Sequence, residues 1–262
     1  ARVSPVQTGG PSSLWAQTRR PKPRGPGRPA GGGGRLTYRS VETPEERAMA
    51  QAKVAIVGVG NVGAALGERL GRSGIAPRFG VKPGANVAAL LDRCGPGASS
   101  SSVAEAAAWA DVIVLAVPPA ALGDVVAQGG GFEGKIVVDC NNPVGWADGP
   151  VLAPVEEGSL TAKLAKLAPR ARVVKGFNTF GAEFHRDPGL AGGRKVDVPL
   201  AGDDQGAKDQ VADLARRAGF EPVDAGPLRN AALLESMAVL WIHLALVGGQ
   251  GRDFAFTLGR RG

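Results

Sequence analysis

KVAIVGVGNVG, residues 53–63, is the stretch on which the reading of this chain turns. Lys53-Val-Ala-Ile-Val-Gly58 reads as a strand, its short apolar run rich in β-branched residues being the pattern of burial on both faces. From Asn61 to Ser73 apolar residues recur at helical spacing. Gly58, Gly60 and Gly63 stand at the junction, and each has a physical task. Gly58 permits a tight turn, Gly60 lets the backbone approach a pyrophosphate, and Gly63 brings the helix against the strand. The N–H groups of Asn61, Val62 and Gly63 at the helix start then face negative phosphates. In a chain with 40 glycines the motif alone is weak, and its place between a strand and a helix gives it weight.

The end of the next strand selects the nucleotide. Arg78 to Val81 reads as a second short strand, stopped by Lys82-Pro-Gly. An NAD site places an Asp or Glu about twenty residues beyond the glycines, on the ribose 2′-hydroxyl. Here that place reads Phe79-Gly80-Val81-Lys82, and the next acid is Asp92. A cation favours the 2′-phosphate of NADP(H), and Lys82 stands at the strand's carboxyl end. A solvated turn lysine is the other reading of Lys82.

Outward from this unit, strands alternate with helical segments. Ser102–Ala110 reads as helix and Asp111–Val117 as strand. Pro118-Pro119 opens a helix to Gln128, and Lys135–Cys140 is strand. A loop carries Asn142-Pro143, then helix 160–167, strands 172–177 and 196–201, helix 205–218, strand 221–224 and a long helix of about 228–247. The expected fold is α/β, a Rossmann-type NAD(P)-binding fold with a mostly parallel, helix-covered sheet and a C-terminal helix. The apolar core of that helix, Met237 to Val247, is too short to span a bilayer.

Residues 1–50 read differently from residues 51–262. Ala1 to Ser40 contains no Asp or Glu and carries Arg2, Arg19, Arg20, Lys22, Arg24, Arg28, Arg35 and Arg39. These eight cations exceed the net charge of +7, so the remainder is close to neutral and calls for no nucleic-acid partner. The segment reads as a disordered basic leader and also resembles an organellar transit peptide. The expectation is a soluble intracellular protein, in a chloroplast or mitochondrion if the leader is a transit peptide. Cys94 and Cys140 form no disulfide framework, and with only His185 and His243 no metal site is expected.

Two further segments carry a resemblance. Val174-Lys-Gly-Phe-Asn-Thr179 and Asp224-Ala-Gly-Pro-Leu228, followed by Leu234-Glu235 and the helix through Trp241, resemble the deazaflavin (coenzyme F420)-dependent NADP reductase family. The likeness runs from Lys53 to about Leu258 and includes Pro118, Asn142-Pro143 and Ala201-Gly-Asp-Asp204. It implies hydride exchange between NADPH and a flavin-like acceptor: FAD, FMN or coenzyme F420. By resemblance, Val117 and Pro118 line the nicotinamide pocket, Asn142 and Pro143 face it, and Asn178 and Thr179 lie on the acceptor side as the catalytic candidates. Archaeal deazaflavin-dependent members have a histidine where this chain has Asn178. The domain is also similar to the cytosolic part of membrane metalloreductases and to the nucleotide domain of pyrroline-5-carboxylate reductases.

Asn178 can fix a ring edge or cap the next helix. His185 reads as a surface loop residue, His243 as a structural residue of an apolar helix, and Asp224 as a shaper of the turn before the last helix. Glu235, acidic in an apolar helix, calls for a hydrogen-bonded partner. Two other functions stay open: a non-catalytic NADP(H) sensor or interaction protein, and a reductase of a small imine or carbonyl. The last helix with Trp241 and the Phe254-Ala-Phe256 segment can bury itself on the sheet or form a homodimer contact, and two-fold assemblies are common.

Overall fold

Strand β1 (Val54–Val57) is buried at every position, as its unbroken apolar sequence requires. Strands β4 (Val112–Leu115) and β5 (Ile136–Asp139) share that pattern and flank it toward one edge. β2 (Arg78–Val81), β3 (Ser99–Ser102) and β8 (Arg172–Lys175) complete a six-stranded sheet in the order β3-β2-β1-β4-β5-β8. All five pairings are parallel. The order reverses between β1 and β4, and the crevice at the carboxyl ends there is where open α/β sheets take ligands. The expected Rossmann-type architecture is therefore present. The computed structural model describes residues 52–259 and Arg261, and the basic leader lies outside them.

Helices cover both faces. α1 (Asn61–Arg72), α2 (Ala88–Cys94) and α6 (Ala182–Arg186) lie together on one side, and α3 (Val103–Trp109), α4 (Leu122–Gln128) and α5 (Leu160–Leu167) belong to the other. The core divides accordingly. Ile56, Leu66, Phe79 and Val138 belong to one cluster, and Ala55, Ile113, Leu122 and Leu164 to the opposite one. Alternate residues of β1 thus enter different layers, as the two-residue strand period dictates.

Beyond β8 lies a smaller parallel pair, β9 (Asp197–Leu200) and β10 (Glu221–Asp224), linked through α7 (Gln205–Arg217). It joins the main sheet through reciprocal backbone bonds between Lys175 and Ala201, 2.8 and 3.1 Å. The last helix, α8 (Ala231–Leu246), follows a 3-10 turn at Leu228–Asn230. Among the described residues no helix is long and apolar enough to cross a membrane, and no group of three or more metal-ligating side chains forms.

Several short elements were not foreseen. β3 is a run of four serines, which has no apolar signal because it is the sheet edge. Ser102 ends it and caps α3 through a reciprocal box with Glu105, its Oγ accepting from Glu105 N at 3.3 Å. α2 is only seven residues long, and the antiparallel hairpin β6 (Val144–Trp146) and β7 (Pro150–Leu152) is shorter still. Segments of this length carry too few residues to establish a period.

Candidate functional site

The glycine turn is built as its sequence demands. Gly58 has φ +107°, and a Cβ there would lie 2.1 Å from Ala116 O. A Cβ on Gly63 would lie 2.0 Å from Gly58 O, so these two glycines are required by the protein itself. Gly60 differs. Its φ of −72° suits any residue, and a Cβ would meet nothing within 4 Å. No side chain caps α1, so the N–H groups of Asn61, Val62 and Gly63 are left for a ligand or water. The open place before them is the cradle that a phosphate would fill.

Lys82 is exposed just past the carboxyl end of β2. Arg78, at the other end, lies 4.2 Å over the Trp109 ring and donates to Ser99 Oγ at 3.3 Å. Arg78 and Lys82 thus stand at opposite ends of β2.

At the ends of β4, β5 and β8 a second set of groups converges. Val117 N donates to Asn141 Oδ1 at 2.8 Å, which ties the loop after β4 to the loop after β5. Asn142 Nδ2 donates to Asn178 O at 2.9 Å, and Asn178 Nδ2 returns a bond to Asn142 Oδ1 at 2.8 Å. Asn178 Nδ2 also reaches Leu234 O of α8 at 3.0 Å. The side chain does not cap a helix: the N-cap of α6 is Gly181. Its Oδ1 is buried and has no partner among the described residues. Thr179 is buried beside it in sequence, Pro143 is buried, and Pro118 is exposed at the rim. A cavity of about 410 Å³ adjoins, lined by Pro119, Pro143, Val144, Leu160 and Lys163 among others.

Beneath these loops lies a buried ionic network. Lys175 is wholly buried at the end of β8. Its ammonium donates to Asp139 Oδ2 and to Glu235 Oε1, each at 3.1 Å, and to Asn141 O. Asp139 Oδ2 accepts from Thr161 Oγ1 at 2.6 Å, and Oδ1 accepts from Asn141 Nδ2 at 2.8 Å. Glu235 accepts from Leu160 N and Thr161 N at 3.2 and 3.3 Å, at the start of α5, where Ser159 Oγ accepts from Ala162 N. The partner that Glu235 called for is therefore a lysine and a helix N-terminus. Asn141, Asp139, Thr161 and Lys175 escaped sequence reading, although a lysine closing the apolar strand Val173-Val174-Lys175 was a usable signal.

The expectation for His185 is corrected. His185 is fully buried, with Nε2 2.8 Å from Phe177 O and Nδ1 3.0 Å from Gly181 O. Burial pushes its imidazole below the ordinary value of 6.5 despite those two carbonyls. The chain reverses around this ring, with Phe177 at φ +56°, and that reversal left no periodic trace. His243 is exposed near the end of α8, outside the core. Asp224 behaves as expected, its Oδ1 accepting from Gly226 N at 2.8 Å in the turn before α8.

A model of NADP oxidoreductases that depend on coenzyme F420 matches residues 53–143. A putative F420-dependent NADP-reductase from Arthrobacter sp. FB24 superposes with a TM-score of 0.71 and 31% identity, over 80% of this chain and 100% of the other. The chain belongs to the coenzyme F420-dependent NADP oxidoreductase family. The metalloreductase STEAP3 of Rattus norvegicus is 30% identical over 186 residues, 71% of this chain. The present family member spans only 36% of that curated relative. A reductive aminase from Aspergillus terreus, solved with NADPH, shares the fold at TM-score 0.57 and 20% identity, over 76% of this chain and 63% of the other.

One carboxylate on the outer face of α1 of this oxidoreductase-family chain has a testable acid signature. Burial of Glu68 alone would raise its pKa, and hydrogen bonds from Arg93 and Arg186 outweigh this and hold it below the ordinary 4.5. A lowered folded pKa means that this stabilisation is present above about pH 4.5 and is lost as pH falls through the folded value. Glu68→Gln should therefore show a flatter acid limb of stability below pH 4.5 than the parent. Superimposable limbs in urea unfolding at pH 3 to 7 would contradict the assigned cause.

Proposed function

We propose that this chain transfers hydride between NADPH and a flavin-like acceptor: FAD, FMN or coenzyme F420. The observation that carries the reading is the Asn142–Asn178 pair with its unpartnered Asn178 Oδ1, set just past the carboxyl ends of β5 and β8. A buried carbonyl without a donor costs stability, and an incoming amide N–H relieves that cost. In this reading Gly58, Gly60, Asn61, Val62 and Gly63 hold the pyrophosphate, and Lys82 binds the 2′-phosphate. Val117, Pro118, Asn142 and Pro143 frame the nicotinamide, with Asn178 and Thr179 toward the acceptor.

When bound, the nicotinamide supplies the hydride. The protein's own work is to align two rings and to exclude water, which needs little acid–base chemistry. Asn141 serves this by joining the loops after β4 and β5 through its side chain. The exposed Trp146, Leu233 and Leu240 of the β6–β7 hairpin and α8 form the surface on which a second copy of the chain would dock.

The test is NADPH oxidation by the purified chain, with FAD, FMN or coenzyme F420 as acceptor and NADH as control. Turnover with one of them is expected, and Lys82→Ala should raise KM for NADPH roughly tenfold while sparing NADH. Tight NADPH binding without turnover on any acceptor would instead favour a nucleotide sensor.

A further inference from the structure

The outer face of α1 carries a feature that the nucleotide turn does not use. Glu68 is 2% exposed. Its Oε1 accepts Arg93 Nε at 2.8 Å and its Oε2 accepts Arg186 Nε at 2.9 Å. Glu68 thus takes one edge of each guanidinium, and both side chains stay about half exposed, 54% and 48%. With Arg252 they line a cavity of about 640 Å³ that begins at Gly60 and Asn61 and follows α1 to Ala64. Glu183 is the acidic residue of the lining, and Arg252 holds it by two bonds of 2.6 and 3.1 Å. Counting the buried Glu68 behind the wall, three guanidinium groups meet two carboxylates, a surplus of one positive charge.

Burying a carboxylate costs several kcal/mol, and a solvated basic face has no need of it. What the buried Glu68 achieves is orientation: it holds Arg93 and Arg186 by Nε, which leaves both terminal nitrogens of Arg186 and Nη2 of Arg93 directed elsewhere, while Arg93 Nη1 donates to Ala89 O at 2.9 Å. Terminal guanidinium nitrogens suit a phosphate or a carboxylate. Lys82, the candidate for the cofactor's 2′-phosphate, is not part of this wall. We propose that Arg93, Arg186 and Arg252 form an anion site for a phosphate carried by the hydride acceptor, with Glu68 as its positioning residue. The acceptor assignment rests on the hydride-transfer reading above, and the anion site does not.

The experiment is titration calorimetry on the full chain saturated with NADP+, first with inorganic pyrophosphate, then with FMN and riboflavin, which differ by one phosphate. The parent should bind pyrophosphate, and Arg186→Gln should weaken it roughly tenfold. The triple variant Glu68→Gln/Arg93→Gln/Arg186→Gln removes the buried charge with its partners and should keep its Tm while losing pyrophosphate binding. FMN should bind the parent better than riboflavin does, and the triple variant should bind the two alike. No pyrophosphate binding by the parent, or unchanged binding in the triple variant, would overturn the site. Weaker NADP+ binding by the triple variant, with NAD+ unaffected, would overturn it too by giving the arginines to the cofactor. Equal binding of FMN and riboflavin by the parent would overturn the acceptor assignment. Loss of turnover with every flavin alongside intact pyrophosphate binding would sink the hydride reading alone.

Discussion

Gly60→Ala should fold like the parent and bind NADP+ at least tenfold more weakly, whereas Gly58→Ala and Gly63→Ala should be markedly destabilised. The three glycines look alike in sequence, and the structure separates them. An alanine at Gly60 adopts φ −72° without strain and meets no atom within 4 Å, so the added methyl occupies only the space left for a ligand. At Gly58 the same methyl would lie 2.1 Å from a backbone carbonyl, at a φ of +107° that side chains avoid. At Gly63 it would lie 2.0 Å from Gly58 O. Overpacking with backbone strain costs about 3 kcal/mol, a fall in Tm of about 10 °C. Thermal unfolding and NADP+ titration of the three variants side by side provide the check. Unchanged NADP+ affinity in Gly60→Ala would remove the pyrophosphate from this turn.

The second large effect belongs to Lys175. Lys175→Met should cost about 3–5 kcal/mol, because it leaves Asp139 and Glu235 as buried carboxylates without their shared cation. It should also abolish NADPH turnover, since the ammonium holds Asn141 O and Asn141 holds Val117 N. Lys175→Met/Glu235→Leu removes one of the stranded charges and should recover part of the stability while turnover stays low. Urea unfolding of the single and double variants measures the first effect and a flavin-coupled assay the second. A single variant within about 1 kcal/mol of the parent would mean that the ammonium does not balance these carboxylates.

The network also explains how α8 takes part in the site. Glu235 comes from α8, Thr161 from the start of α5, and Asp139 and Lys175 from adjacent strand ends. Leu234, the residue before Glu235, offers its carbonyl to Asn178. The last helix therefore anchors both the buried charges and the candidate catalytic amide.

Part of this was legible in the chain alone. Val54–Val57 and Val112–Leu115 are unbroken apolar runs, as is Ile136–Val138 before the buried Asp139, and runs of that kind are strands because they can be buried only between two layers. Gly58, Gly60 and Gly63 announced the turn because a local backbone constraint leaves a local signature. Asn142 and Asn178 were marked as candidates 36 residues apart, but nothing local says that they bond to each other. The edge strand of serines, the burial of His185, the arginine wall on α1 and the Lys175 network were decided by tertiary structure. A polar side chain's role depends on which distant partner satisfies it once water is removed, and that partner is chosen by how the layers close. Hydrophobic period and glycine placement act over a few residues and are written in the sequence. Charge pairing acts across 118 residues, as between Glu68 and Arg186, and only the folded chain brings such groups together.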